Sequence, residues 1–267
     1  MSARVVVTGA SGGIGSAAVR ELRARGAQVA GLDLHADEAA GVIACDVTDQ
    51  GSVDRAVHEA VERLGGLDVL INNAGIGIPQ SAASAPDERA IGVLEVNLIG
   101  PWRVTGAAMP ALRESRGRVV NVASGLAHLA VPFAPAYCMS KRGLVAYSDA
   151  LRLEFGDEIT VTTVYPGYIR TGIHNASEDS GVGLEGAVPA ERVEDAARVL
   201  VRAALGRPVR DLPTTRQGTV LYALARRSPR RLLDFLTRTR VRRMVQAGRF
   251  RQDGLAGELA ARLSAPR

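Results

Sequence analysis

The chain has 267 residues, of which 46% are hydrophobic and 23% charged, so it is long enough to bury a large core without disulfide bonds or a structural metal. Its only cysteines, Cys45 and Cys138, exclude a disulfide framework and indicate a reducing, cytoplasmic compartment. We expect no signal peptide, and the longest uncharged stretch, 119–140, is too polar to predict a membrane span.

The net charge of +5 is unevenly distributed. Residues 1–191 carry 15 basic and 22 acidic side chains, whereas residues 192–251 carry 16 arginines against four acids. The basic character therefore belongs to the C-terminal part of the chain, and it says nothing about the chemistry further upstream.

In chain order, the first 165 residues alternate short apolar runs with longer helical patterns. The runs are dense in Val, Ile and Leu without polar alternation, which is typical of strands buried on both faces of a parallel sheet. The alternation predicts an α/β fold: a single Rossmann-type domain over 1–267 whose doubly wound parallel sheet has helices on both faces. The predicted strands are Arg4–Val7, Gln28–Leu32, Val42–Cys45, Leu67–Ile71, Arg118–Val122 and Thr160–Val164, and the predicted helices are 14–25, 50–64, 86–114 and 137–155.

The pattern changes after Pro166. Residues 172–190 are rich in Gly, Ser, Ala and acids, which predicts a mobile loop that contributes to substrate selection. A helix near 191–205 and a short strand over Val209–Leu212 follow, and a basic helical extension is predicted over about 215–267.

A glycine-rich turn follows the first predicted strand directly and opens the first predicted helix. At this position backbone N–H groups and the positive helix end bind the diphosphate of a dinucleotide, and a Cβ would block the turn or the phosphates. Taken alone, the motif is also compatible with a plain turn. The residues expected to hold the diphosphate are Gly9, Ser11, Gly12, Gly13, Ile14 and Gly15.

Asp33 ends the second predicted strand, where an acidic side chain takes the adenosine ribose hydroxyls of a dinucleotide. A carboxylate accepts hydrogen bonds from a 2′-hydroxyl but repels a 2′-phosphate. No arginine lies within the glycine turn or directly after Asp33. The expected cofactor is therefore NAD, with NADP disfavoured.

Together with Asn-Asn-Ala-Gly at 72–75, Ser124 and Tyr-Cys-Met-Ser-Lys at 137–141, these motifs resemble a classical short-chain dehydrogenase/reductase over residues 3–206. The glycine spacing also fits the extended branch of that family, but the chain length and residues 72–75 look classical. The resemblance implies that Asp46 and Val47 flank the adenine. It also implies that further positions line the cofactor, namely Asn73, Ala74, Gly75, Pro166, Gly167, Ile169 and Thr171.

Asn97 lies within the predicted helix 86–114 and matches the active-site asparagine of the family. The resemblance implies that it bends this helix and holds a water molecule for proton relay. The alternative is an asparagine in a helix interior that bonds a backbone carbonyl, and the family role partly includes that bond.

Tyr137 and Lys141 lie four residues apart in a predicted helix and so share one face, and Ser124 follows the fifth strand at the same crevice. A tyrosine with a pKa of ~10 is a poor base at neutral pH, so we expect the nearby ammonium and a positive nicotinamide to lower this pKa. Tyr137 is predicted as general acid/base and Ser124 as hydrogen-bond donor to the substrate oxygen. Lys141 is predicted to lower the pKa of Tyr137 and to bind the nicotinamide ribose. It is the only lysine of the chain, and its compact charge suits this position better than a planar guanidinium.

The mostly apolar segment Leu126–Phe133 predicts a lipophilic alcohol or ketone as substrate. The two histidines near the site are weaker candidates, because a lone histidine is more often structural or simply exposed. No group of His, Cys, Asp and Glu has metal-ligand spacing, so we predict no metal. The candidate substrate residues are Ser124, Leu126, His128, Phe133, Tyr137, Tyr168 and His174.

The sequence therefore predicts an NAD-dependent oxidoreductase that interconverts a hydrophobic secondary alcohol and its ketone. The alternatives are an NADP-dependent carbonyl reductase and a non-catalytic NAD-binding regulatory protein of the same fold. The intact Ser124, Tyr137 and Lys141 argue against the regulatory protein. A homodimer or homotetramer is expected.

The segment Pro229–Val245 places apolar side chains among many arginines. Such a basic amphipathic helix either lies on an anionic membrane or, in the more ordinary case, packs beside the substrate loop or at a subunit interface. Peripheral membrane contact through residues 229–247 is thus an open expectation. Nucleic-acid binding is not expected, since no recognised module accompanies the charge.

Overall fold

The computed structural model describes residues 2–174, 190–215, 220, 228–247 and 257. The strands, in chain order, are β1 (Arg4–Thr8), β2 (Gln28–Asp33), β3 (Val42–Ala44), β4 (Val69–Asn72), β5 (Arg118–Val122), β6 (Thr160–Tyr165), β7 (Tyr168–Ile169), β8 (Ala190–Glu191) and β9 (Asp211–Pro213). All except β7 and β8 form one parallel sheet in the order β3-β2-β1-β4-β5-β6-β9. The predicted doubly wound sheet is confirmed, and its order reverses between β1 and β4.

The helices that connect these strands cover both faces of the sheet. They are α1 (Gly13–Ala24), α2 (Gln50–Leu64), α3 (Glu88–Leu94), a π-helix (Glu95–Ile99), α4 (Gly100–Glu114), α5 (Pro135–Phe155) and α6 (Val193–Leu205). A further helix, α7 (Arg230–Gln246), follows the last strand, β9. The side chains of successive strand residues lie on opposite faces of the sheet and pack in two separate hydrophobic cores. Val5 and Val7 pack with residues of α1 and α6, whereas Val6 packs with residues of α2 and α4. This use of both faces explains why the strands lack polar alternation.

The predicted helix 86–114 is wrong as a single element, because a π-helix over Glu95–Ile99 separates α3 from α4. Asn97 lies in this π-helix and bonds the backbone of Ile76, outside the helix. A π-helical turn holds more residues than an α-turn and often marks a functional site. The interruption therefore places Asn97 where a regular helix would not.

The region after β6 partly follows the prediction. β7 pairs with β8 in a separate parallel ribbon, and β9 joins β6 two residues later than the predicted strand. Of the predicted loop 172–190, Gly172–His174 forms a short 3-10 helix and residue 190 begins β8, while 175–189 lie outside the described residues. Within the described ranges, the helices are too short or too polar to cross a membrane.

Candidate active site

Hydrogen bonds join the glycine turn at the end of β1 to the residues that follow β4. The Thr8 hydroxyl accepts hydrogen bonds from the backbone N–H groups of Asn73 and Ala74, each at 3.0 Å. The Asn73 side-chain amide donates in return to the carbonyls of Thr8 and Gly9, at 3.0 and 3.1 Å. Both strand ends are thereby held at the point where the strand order reverses, which is where doubly wound sheets bind ligands.

Two glycines allow this close packing. Gly9 has φ +65°, and a Cβ there would lie 2.8 Å from the Cα of Ala74. A Cβ on Gly15 would collide with the carbonyl oxygen of Gly9. A Cβ on Gly12, in contrast, would meet only the Gly9 carbonyl oxygen, at 3.5 Å. Helix α1 begins there with no side-chain cap and no acid in its first turn, so the turn fits the diphosphate of a dinucleotide.

Asp33 lies beside the glycine turn, as the sequence predicts. Its two carboxylate oxygens accept hydrogen bonds from the backbone N–H groups of Ser11 and Leu34, both at 2.8 Å. The bond to Ser11 holds the carboxylate against the turn itself. A dinucleotide bound with its diphosphate on the turn would bring its adenosine ribose to this carboxylate.

Ser124 and Tyr137 meet beyond the carboxyl end of β5. The Ser124 Oγ accepts a hydrogen bond of 3.2 Å from the backbone N–H of Leu126, and it also bonds the Tyr137 hydroxyl. Burial raises the pKa of Tyr137 to about 12, and the bond to Ser124 offsets only part of this effect. The lowering of this pKa that the sequence predicts involves a positive nicotinamide as well as the ammonium, and the raised pKa is that of the chain alone. Tyr137 carries its proton at neutral pH.

Lys141 lies one helical turn after Tyr137 and is only 4% exposed. Its Nζ donates a hydrogen bond of 2.9 Å to the carbonyl of Val122 and lies 5.7 Å from the ring centroid of Tyr137. Burial lowers the pKa of Lys141 to about 8, so the ammonium still predominates at neutral pH. The structure thus places a buried positive charge beside the phenol, as the sequence predicts.

Asn97 joins the loop after β4 to helix α5. Its amide donates to the Ile76 carbonyl at 2.8 Å and to Ser140 Oγ at 3.2 Å, and its Oδ1 accepts from the Ile76 N–H at 2.8 Å. The residue therefore bonds a backbone carbonyl, as in the alternative interpretation, but in another segment. This contact brings Gly75 close to the site, since a Cβ there would lie 3.3 Å from Asn97 Oδ1 and 3.5 Å from Lys141 Nζ.

Apolar groups surround the Tyr137 ring. Ile78 packs in one cluster with Tyr137 and Ala136. A Cβ on Gly77 would lie 3.4 Å from Ile173 Cγ1 and 3.6 Å from Tyr137 Cδ2, so Ile173 approaches the same place. Ile173 lies in the segment 172–190 that the sequence predicts to contribute to substrate selection, although composition alone does not single out this residue.

The other predicted substrate residues occupy several environments. The His128 ring packs on the Tyr165 ring with centroids 5.3 Å apart, and Tyr168 is buried in β7. Phe133 has φ +62°, which is rare for a bulky side chain and marks a constrained turn before α5. Leu126 and His174 lie in the 3-10 helices Gly125–Ala127 and Gly172–His174.

The segment after β6 reaches the glycine turn through Thr171. A Cβ on Gly13 would lie 2.8 Å from Thr171 Cγ2. Pro166 and Ile169 are buried, whereas Gly167 is exposed and packs so closely on Glu191 that a Cβ would collide with this carboxylate. Of these predicted cofactor residues, the structure brings Thr171 to the turn.

Asp46 and Val47 use their side chains within the protein. Asp46 Oδ1 accepts from the Thr48 N–H at 2.9 Å and from the Thr48 hydroxyl at 2.7 Å. The Val47 side chain is buried against Gly100. Burial leaves the Val47 side chain little surface for an adenine, whereas Asp46 is partly exposed.

A buried polar network beneath the site was missed in the sequence analysis. The Asn72 amide donates to Asn121 Oδ1 at 2.9 Å and to Thr105 Oγ1 at 3.0 Å, and the Asn121 amide donates to Ser148 Oγ at 2.8 Å. It ties β4 and β5 to α4 and α5. The available signal was an asparagine directly after or within an apolar run, Asn72 after residues 69–71 and Asn121 within residues 119–122. Among the described residues, groups of three or more potential metal ligands are absent.

Sequence comparison relates this chain to known proteins. The chain matches the family model described as short chain dehydrogenase over residues 3–181. It is 38% identical over 190 residues to human 17-beta-hydroxysteroid dehydrogenase type 6, covering 65% of this chain and 59% of that protein. It is 32% identical over 207 residues to 3-oxoacyl-[acyl-carrier-protein] reductase FabG of Escherichia coli, covering 73% of this chain and 85% of that protein. The chain thus spans well under two thirds of the human relative.

Solved structures show the same architecture. A short chain dehydrogenase from Burkholderia cenocepacia in complex with NADP aligns with a TM-score of 0.73 at 26% identity, over 85% of this chain and 94% of that chain. A short-chain type dehydrogenase/reductase from Mycobacterium marinum aligns with a TM-score of 0.72 at 29% identity, over 79% of this chain and 94% of that chain. With the glycine turn, Ser124, Tyr137 and Lys141 assembled at one end of a doubly wound sheet, the chain belongs to the short-chain dehydrogenase family.

Proposed function

We propose that the protein is an NAD-dependent oxidoreductase that interconverts a hydrophobic secondary alcohol and its ketone. The observation that carries this proposal is the hydrogen-bonded pair of Ser124 and Tyr137 with the buried ammonium of Lys141 beside it. The glycine turn that fits a dinucleotide lies at the same end of the sheet. A phenol, a hydroxyl and an ammonium in this order suit proton transfer to a carbonyl oxygen.

A bound nicotinamide supplies or accepts the hydride, and the chain moves one proton. In reduction, Tyr137 is protonated at neutral pH and donates to the ketone oxygen. Ser124 donates a hydrogen bond that orients this oxygen. The phenolate left on Tyr137 is stabilised by the Lys141 ammonium until solvent returns a proton. Oxidation runs the same steps in reverse and requires the phenolate, so it is favoured at high pH.

The preference for NAD rests on Asp33. Its carboxylate, bonded to the Ser11 N–H, would repel a 2′-phosphate at the ribose. The Burkholderia cenocepacia relative was solved with NADP, so the preference needs a direct measurement. In fluorescence titrations we expect NADH to bind at least tenfold tighter than NADPH, which corresponds to a difference of about 1.4 kcal/mol in binding free energy. Asp33→Ser removes the carboxylate, so it should reduce the ratio of the two dissociation constants. Tighter binding of NADPH would favour the NADP-dependent carbonyl reductase.

The preference for an apolar substrate rests on the surroundings of Tyr137. Ile78 and Ile173 lie near its ring, and the segment 126–133 beyond Ser124 is mostly apolar. The names of two relatives refer to a hydroxysteroid and to a 3-oxoacyl group. A lipophilic alcohol or ketone suits such a site better than a sugar or a hydroxy acid.

The function is tested by following NADH in a panel of aliphatic, steroidal, sugar and hydroxy-acid substrates, with wild type and Tyr137→Phe compared. We expect turnover of the lipophilic compounds and a loss of roughly 10²-fold or more in the variant, because the proton donor is removed. NADH binding is the control and should persist. Binding of NADH without turnover of any compound would instead support the non-catalytic NAD-binding protein.

A further inference from the structure

Helix α7 carries two apolar stripes on different sides. Val241 and Met244 are buried and form the first stripe. Leu232, Phe235 and Leu236 form the second stripe, and they are 48%, 65% and 54% exposed. At about 100° per residue, the centres of the two stripes lie about 150° apart around the helix. The exposed stripe is therefore no extension of the buried one.

Arginines accompany the exposed stripe. The helix contains six arginines and one acid, Asp234. On the helical projection, Arg243 falls within the exposed stripe, Arg231 and Arg242 fall along one edge, and Arg240 lies on the other edge. Arg231, Arg242 and Arg243 are exposed. Helices that lie in a membrane interface carry Phe and Leu on one face and Lys or Arg on the polar face, and arginines that border the apolar stripe can extend to the lipid phosphates.

Exposure of an apolar side chain does not by itself distinguish the face of α7, as a leucine on another helix shows. Leu153 on α5 is 88% exposed, but its neighbours in sequence include Glu154, Asp157 and Glu158. A single exposed leucine among acids is ordinary surface. On α7, three exposed apolar side chains share one face with several positive charges.

We propose that the face formed by Leu232, Phe235 and Leu236 docks on an anionic phospholipid surface. The three apolar side chains enter the headgroup–acyl boundary, and the surrounding arginines keep their guanidinium groups at the lipid phosphates. The charge of the helix selects this occupant, because the stripe contains and borders positive side chains and the helix has one acid. A partner with a plain apolar groove would leave these guanidinium groups without anions.

The test is co-sedimentation of the full chain with phosphatidylcholine vesicles and with vesicles of phosphatidylcholine and phosphatidylglycerol in equal parts. We expect binding to the anionic vesicles only, weakened by added salt. Phe235→Ser should weaken binding roughly tenfold or more through the lost apolar contact. Arg242→Gln should weaken it roughly fivefold.

Leu153→Ser is the matched control, since it removes an exposed leucine elsewhere and should leave vesicle binding unchanged. Circular dichroism verifies that all variants fold. Equal binding to neutral vesicles, equal effects of Leu153→Ser and Phe235→Ser, or no binding at all would overturn the proposal. Self-association that Phe235→Ser abolishes, in the absence of vesicle binding, would also overturn it and assign the face to a second copy of the chain.

Discussion

Two turns of helix α5 present a tyrosine in similar settings, ten residues apart. Tyr137 bonds the hydroxyl of Ser124, and Tyr147 bonds the hydroxyl of Thr105. Burial raises the pKa of both phenols to about 12. Each tyrosine is therefore a partly buried, protonated group with one hydroxyl partner, and by these properties the two cannot be told apart.

The turns differ in the residue four positions later. After Tyr137 comes the ammonium of Lys141, whereas after Tyr147 comes Leu151, which is 5% exposed in the apolar core. A strongly raised pKa therefore does not by itself mark an acid–base site. A phenol with a buried positive charge beside it can become an anion, and a phenol beside leucine cannot do so at comparable cost.

The comparison predicts the largest effect for Leu151→Lys, which gives the second turn the sequence spacing of the first. The new ammonium would be buried among apolar side chains such as Ile159 and Val161. We expect a loss of about 4 kcal/mol in the free energy of unfolding, the size expected for an unpaired buried charge. Urea denaturation measures this loss. Unchanged stability would mean that α5 tolerates a buried amine anywhere.

Lys141→Arg tests whether the charge alone is sufficient in the first turn. Lys141 Nζ fits between the Val122 carbonyl and the backbone at Gly75, where a planar guanidinium needs more room. We expect roughly 10²-fold lower kcat/KM while the chain still folds, since the guanidinium does not fit beside the phenolate as the ammonium does. Full activity of the variant would show that arginine can replace the only lysine, and the lysine would then reflect codon usage and not the chemistry of the site.

Lys141→Leu converts the first turn into a copy of the second. Burial shifts the pKa of Lys141 from 10.5 to about 8, which corresponds to a cost of about 3 kcal/mol in the stability of the wild type. The variant avoids this cost but loses the hydrogen bond to Val122, which stabilises the fold by about 1 kcal/mol. We therefore expect the free energy of unfolding to increase by about 2 kcal/mol. Activity of this variant should be lost.

The stability of the wild type should rise between pH 8 and 10, because Lys141 loses its proton at a lower pH in the folded chain than in the unfolded one. The variant should lack this rise, and denaturation at several pH values reveals the difference.

The smallest effect concerns pH and activity. Because the pKa of Lys141 is lowered to about 8, its charge disappears at a lower pH than that of an ordinary lysine. We expect kcat/KM for ketone reduction to be flat below pH 8 and to fall about tenfold per pH unit above it, since kcat/KM reports groups of the free enzyme. A profile that rises steadily to pH 9 would contradict a role for the ammonium.

Much of this arrangement could be predicted from the sequence. The apolar runs located the sheet strands to within two residues, because strands buried on both faces need continuous apolar side chains. Ser124, Tyr137 and Lys141 could be placed together because strand ends and the following helix meet at one edge of such a sheet.

The unpredicted features depend on contacts between distant segments. The π-helix at Glu95–Ile99 accompanies bonds from Asn97 to Ile76, 21 residues earlier. The direction of the Tyr137 pKa follows from burial, which the spacing of motifs does not reveal. Spacing shows which side chains meet, whereas packing decides their protonation.

The most direct test compares Tyr137→Phe with Tyr147→Phe in the reduction of the best ketone at neutral pH. Both variants lose the hydroxyl of one partly buried tyrosine from the same helix, so general effects on folding should be alike. Removal of the proton donor should lower kcat/KM roughly 10²- to 10⁴-fold in Tyr137→Phe, while Tyr147→Phe stays within about twofold of wild type. Equal activity of the two variants, whether both retained or both lost, would contradict the assignment of proton transfer to Tyr137.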